Sequence, residues 1–242
     1  EHSSAYGYAR HTTPALSALA ESGVRFDSAF TPQPHVLSGH ASIMTGQLPE
    51  MHGIQGFAGD RLSTTATTLA EILSEAGYDT AAFYSALGPG DPMAEIARGF
   101  QRAEVVGADP DPETPGPGPA ALLASYQRFS YLLAVPAQLN TLLGIDDPTR
   151  RPSARADAIT SAALSWLAQR GERPYFLWVH YFDLHGPHAA PDPYSTLFLD
   201  DACGGCDLDE TIDRLQSGGR LDDIARAYQI GEYDGEVRYV DS

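Results

Sequence analysis

Between Pro32 and Ile54 the chain places three histidines, His35, His40 and His52, around the run Ala41-Ser42-Ile43-Met44-Thr45-Gly46. Histidine ordinarily titrates near neutral pH, so it can exchange a proton or carry positive charge there. The run reads as one or two helical turns closed by Gly46. A polar loop feeding such a turn presents N–H groups without intrahelical partners, which suits an anion. Ser38 has two readings at this point: an N-cap for the turn, or a hydroxyl that takes part in chemistry. A second group, Asp183-Leu184-His185-Gly186-Pro187-His188, follows an apolar run. His185 is the site candidate there, whereas His180, inside the run, reads as a core histidine with its hydrogen bonds met. Cys203 and Cys206 form a single Cys-x-x-Cys, half of a zinc site at best. A loop disulfide or inert thiols suit it better than a metal.

Helices and strands must position these groups. Thr13-Pro14 predicts a helix start, with Thr13 as cap, Leu16, Leu19 and Ala20 facing inward and Gly23 at the end. Residues 24–30 alternate with period two and predict a strand. Residues 68–76 predict a helix with Leu69, Ile72 and Leu73 inward and Gly77 beyond it, followed by a strand at 78–84. Helix, glycine, strand is a unit of a parallel α/β sheet. The Pro-, Asp- and Gly-rich stretch 108–119 predicts a mobile surface loop, and 120–144 a helical insert broken at Pro136. Residues 153–170 predict a helix capped by Ser153, with Ile159, Ala163, Leu164 and Leu167 on one face. The apolar run 175–182 predicts a buried central strand, and sites in such sheets lie beyond the strands' carboxyl ends. A short helix is expected over 207–217 and a longer one over 222–241, weakened by Gly231 and Gly235.

With 242 residues, the chain can bury a sizeable core. Thirty-two acidic against 15 basic side chains give a net charge of −17, which disfavours nucleic acid and anionic membranes as partners. The same charge sits awkwardly with an anionic substrate unless a local site or a metal reverses the field. No apolar run reaches transmembrane length. No signal peptide is visible, and the first residue is Glu1 rather than Met. We expect the N-terminus to be missing, with a periplasmic or extracellular location open.

The segment His40-Ala41-Ser42-Ile43-Met44-Thr45-Gly46, with Leu48-Pro49 and His52-Gly53, resembles the active-site segment of the sulfatase family, within the alkaline-phosphatase-like superfamily. Three further stretches resemble that family in the same order: the opening through Gly23-Val24-Arg25-Phe26, the phrase from Glu75 to Phe83, and the Phe-x-x-Pro-His-x-Pro-like element at His185. The ending also resembles it, as a Tyr-x-x-Glu-x-x-x-x-Asp helix formed by Tyr233, Glu236 and Asp241. The resemblance implies an α/β fold with a mixed, mostly parallel sheet flanked by helices, incomplete at both ends, residues 1–242 being the N-terminal and central part of one domain.

It further implies a hydrolase of sulfuric or phosphoric monoesters that uses a divalent cation (Ca, Mg, Mn or Zn) in the complete protein. None is expected on this chain, because the family's metal ligands would fall outside it. By the same resemblance His40 and His185 are catalytic, His185 contacts the ester, and Ser38 and His52 are weaker catalytic and substrate-binding candidates. The sequence departs from the family at two places. Val36 stands where the nucleophile belongs, and Ser85-Ala86 stands where formylglycine sulfatases carry a sulfate-holding Gly-Lys-x-His. The chain is therefore expected to be inactive alone. The alternative is a non-catalytic relative that binds an anionic or sugar ligand.

Overall fold

A computed structural model describes residues 1–56, 60–85, 93–107, 155–185, 188, 190–199 and 221–242. The expected loop at 108–119, insert at 120–144, helix at 207–217 and the pair Cys203 and Cys206 lie outside the described residues, as does Ser153, the expected cap of a helix that begins instead at Ala156 with Arg155 as its N-cap. The chain divides into two compact units. One holds the described residues of Glu1–Ser28 and Asp183–Ser242, the other those of Ala29–Ser130 and Thr149–Phe182.

The second unit carries the sheet. Its elements are α2 (Val36–Thr45), α3 (Pro49–His52), α4 (Leu69–Glu75), β1 (Asp79–Tyr84), α5 (Met93–Ile96), β2 (Arg102–Val105), α6 (Ala156–Gln169) and β3 (Tyr175–His180). The three strands are parallel in the order β2-β1-β3, with Ala81 opposite Arg102 and Tyr84 opposite His180. Successive side chains of a strand point to opposite faces, and β1 uses both. Ala82 and Tyr84 pack with Ala41 and Met44 of α2, Ile54, Leu62 and Ile96; Ala81 and Phe83 pack with Ile159 and Ala163 of α6. Helices thus cover a parallel sheet on two sides, as the sequence predicts.

Burial falls differently from the sequence expectation. β1 is buried along its whole length, while the more apolar β3 is only half-buried. Position decides this: β1 lies between two strands, and among the described residues β3 has a strand on one side only. Small residues at 81 and 82 let helices approach β1 from both faces. On α4, Ala70 is the buried residue and Leu69 and Ile72 are exposed. The helix itself is well specified at its start. Thr68 accepts from the Glu71 N–H at 3.1 Å and Glu71 accepts from the Thr68 N–H at 2.7 Å, a reciprocal capping box. The Thr68 hydroxyl also donates to the Arg98 carbonyl at 2.9 Å. Gly99 follows at φ +91°, where a Cβ would collide with the Glu71 side chain. Only glycine fits there, and Phe100 is thereby delivered onto Phe176 and Trp178.

The first unit holds α1 (Pro14–Ser22) and α7 (Leu221–Val240). Pro14 opens α1 at its first position as predicted, but Thr13 does not cap it. The Thr13 hydroxyl bonds upstream instead, to Ser3 and Ser4 and to the Ala5 N–H. The free N–H groups of α1 are met by Asp241, whose carboxylate accepts from Ala15 at 2.6 Å and from Leu16 at 3.0 Å. A negative group at a helix N-terminus also suits the helix dipole. Leu16 and Leu19 of α1 are exposed rather than inward. Residues 24–30 form no strand, and Val24, Phe26 and Phe30 are exposed. Alternation alone cannot make a strand without a neighbour to supply the ladder, and these residues have none among the described ones. Gly235 lies inside α7 with the Tyr194 carbonyl pressed against the place a Cβ would take. That glycine permits close packing rather than breaking the helix.

Candidate active site at the carboxyl end of the sheet

α2 enters from an extended residue, His35, and Val36 is its first helical residue. Val36 is 48% exposed. One turn on, His40 turns its ring back so that Nδ1 lies 2.7 Å from the Val36 carbonyl. A carbonyl oxygen can only accept, so Nδ1 carries the proton and Nε2 is the nitrogen left for other chemistry. The His40 ring meets His180, the last residue of β3, with centroids 4.9 Å apart and planes 75° to one another. Trp178 lies 5.8 Å from His40 and 5.7 Å from His180. The site is therefore a helix first turn and two imidazoles at the carboxyl end of a parallel strand, the position where α/β sheets bind ligands.

His180 is not the satisfied core histidine that its apolar surroundings suggest. Its Nδ1 is buried and has no hydrogen-bond partner. Burial first, and the neighbouring His40 second, push its pKa down to about 4, so it is neutral at neutral pH. The sequence signal was the period-two register: Phe176, Trp178 and His180 share a face, and α2 packs on that face.

Ser38 is fully buried and donates its hydroxyl proton to the Ile54 carbonyl at 2.6 Å. It sits inside α2, two residues past the first helical position, so it is not the N-cap. His52 is fully buried as well. Its Nδ1 accepts from the Ile54 N–H at 3.2 Å, so Nε2 carries the proton and faces the Ser42 hydroxyl at 3.0 Å. Burial lowers its pKa below the usual histidine range. Ser38, Ser42 and His52 together fasten α2 to the Ile54 loop. His185 lies five residues past β3, half-buried, and belongs to the first unit. All 15 basic residues counted as lysine plus arginine are arginines, so the sulfate-holding lysine of formylglycine sulfatases has no counterpart.

Metal binding can be tested against the side chains in place. Among the described residues no group of three His, Cys, Asp or Glu side chains is arranged to hold a metal ion. The carboxylates nearest to such a role in the family-like ending are engaged elsewhere. Asp234 accepts from Tyr8 at 2.8 Å and Arg10 at 2.6 Å and bonds His2 at 2.7 Å. Glu236 bonds His188, and Asp241 caps α1. The described residues do not fit a divalent cation.

Comparison with known proteins agrees with this architecture. The chain is 28% identical over 236 residues to bovine arylsulfatase A, covering 82% of this chain and 44% of that protein. It is 25% identical over 239 residues to an N-acetylgalactosamine-6-O-sulfatase of Bacteroides thetaiotaomicron, covering 78% and 46%. A phosphonate monoester hydrolase of Agrobacterium radiobacter superposes with a TM-score of 0.59 at 18% identity, over 99% of this chain and 54% of that one. The C-terminal periplasmic domain of EcEptC from Escherichia coli, solved in complex with zinc, gives 0.57 at 14%, over 99% and 52%. The chain spans less than half the length of the curated relatives it matches. The sulfatase family model matches residues 1–242, and the chain belongs to the sulfatase family, whose members are generally metal-dependent and act on sulfate esters.

Proposed function

We propose that this chain takes part in binding a sulfuric or phosphoric monoester at the carboxyl end of β1 and β3, as part of a sulfatase-like hydrolase, and that alone it does not turn the ester over. The reading rests on the first turn of α2. There an exposed isopropyl group occupies the family's nucleophile position, and His40 is anchored on that same residue's carbonyl. Val36 can neither attack a sulfur or phosphorus centre nor ligate a metal. Ser38 cannot substitute, because its hydroxyl is buried and committed to Ile54. The residue of the second unit left with a role toward the ester is His40, through Nε2. His52 and Ser38 hold α2 in place rather than touching ligand. Any divalent cation, whether Ca, Mg, Mn or Zn, would be held by groups other than the described residues, and we assign no step to it.

Val36 also favours a second reading, a non-catalytic relative that keeps the fold to bind an anionic or sugar ligand. One experiment separates the two. The complete protein that contains this chain is assayed with aryl sulfate and aryl phosphate in each of the four cations, beside Val36→Thr and His185→Ala. A silent parent with a gain in Val36→Thr supports a hydrolase fold whose nucleophile is lost. Silence from both, with sulfate or phosphate still binding, supports the binding relative. Turnover by the parent that His185→Ala abolishes overturns the assignment of position 36.

A further inference from the structure

We infer that His180 is a positioning residue for His40: its ring, set edge-to-face against the His40 imidazole, holds that imidazole in the one orientation in which Nδ1–H bonds the Val36 carbonyl and Nε2 is turned outward, where, when protonated, it donates to an ester oxygen. The inference rests on the ester-binding reading above only for what Nε2 does, not for how it is held. Two observations carry it. His40 and His180 approach at 4.9 Å and 75°, a T-shaped pair. Trp178 closes on both rings, at 5.8 and 5.7 Å, so that β3 supplies a wall for His40 from two same-face residues.

A histidine ring on a helix can rotate about its outer torsion and present either nitrogen. The bond to the Val36 carbonyl favours one face, but helix first turns fray. The edge-to-face wall removes the space into which the ring would turn. A charged neighbour would repel the protonated form of His40, and His180 is kept uncharged by its burial. A lysine or arginine at position 180 would hold the ring but oppose its cation.

The test reads the His40 tautomer directly, by nitrogen-15 shifts of the imidazole in the whole chain, together with titration by inorganic sulfate and inorganic phosphate. In the wild type the Nδ1–H form should dominate. His180→Ala should give a mixture of the two tautomers and weaken anion binding about three- to tenfold, the size of one edge-to-face pair. His180→Phe keeps the wall and should restore the single tautomer and most of the binding. His180→Asn takes the place of His180→Ala should that variant fail to fold by circular dichroism. A single Nδ1–H tautomer in the ring-deleted variant overturns the inference, and so does a mixed one in a folded His180→Phe. If the wild type binds neither anion, the ester-site reading fails, while the tautomer comparison still decides the role of His180.

Discussion

Truncating Asp234 to alanine should destabilise the first unit by about 3–5 kcal/mol, the range for breaking a buried ion pair by removing one partner. The carboxylate is 0% exposed and has three partners: Arg10 at 2.6 Å, Tyr8 at 2.8 Å and His2 at 2.7 Å. Arg10 is itself only 18% exposed, so it would be left with little water to replace its counter-ion. Denaturation in urea with an unchanged slope would read the loss, and hydrogen exchange of the α7 amides would assign it to this unit. Replacing both partners by apolar groups, Asp234→Leu with Arg10→Met, should recover most of the stability, because neither charge is then stranded. A loss below about 1 kcal/mol in Asp234→Ala would refute the view that this carboxylate fastens residues 2–10 to α7.

The two units should respond to pH with opposite signs. His180 has a folded pKa of about 4 against an ordinary 6.5, so the unfolded chain gains a proton first; its contribution is present above pH 6.5 and is lost as pH falls through 4, about 2–3 kcal/mol at most. Glu232 is raised to about 7, by burial above all, so its contribution is present below pH 4.5 and is lost as pH rises through 7, about 1–2 kcal/mol after allowing for its partial exposure. Hydrogen exchange corrected for intrinsic rates should therefore show β1 and β3 losing protection on acidification while α7 gains it, and a common sign in both would contradict these assignments. Thr68→Ala should cost about 1–2 kcal/mol, since it removes the cap of α4 and the bond to the Arg98 carbonyl, whereas Thr68→Ser should stay near wild type in the same urea denaturation.

The helix and strand skeleton of the second unit was legible because its signals are local. Gly46 at φ +66° and Gly77 at φ +88° close helices where the sequence places them, and the strand expected at 78–84 meets helices on both faces of the sheet. What the sequence misplaced depends on distant neighbours. Leu16 and Leu19 show the spacing of an inward face, yet whether that face is covered is decided by what lies opposite it. The cap of α1 could not be read near Thr13, since Asp241 supplies it from 226 residues away. At the site, the matched segment led to His40, but the role of Ser38 turned on one bond to Ile54, and the unpartnered nitrogen of His180 has no sequence signature beyond its register with Trp178.

The carboxylates of α7 show what becomes of acidic side chains that are engaged within the fold. Tyr233, Glu236 and Asp241 resemble a family helix whose metal ligands would fall beyond this chain, and a chain of net charge −17 has many other carboxylates. In the structure these acids are already engaged, each with its own partners. Asp234 binds Arg10, Tyr8 and His2, Glu236 binds His188, and Asp241 binds the N-terminus of α1. A carboxylate whose lone pairs already accept from donors is a poorer ligand, and for buried Asp234 coordinating a cation would also strand Arg10 and Tyr8. The acidic balance therefore does not predict a metal site on these residues. Nor does it forbid an anionic ligand, since exposed charges beyond about 8 Å are screened at physiological salt and the groups at the carboxyl end of β3 are imidazoles. Net charge sets which large partners the chain can approach, and it acts at a longer range than the imidazoles of His40 and His180 at the carboxyl end of β3.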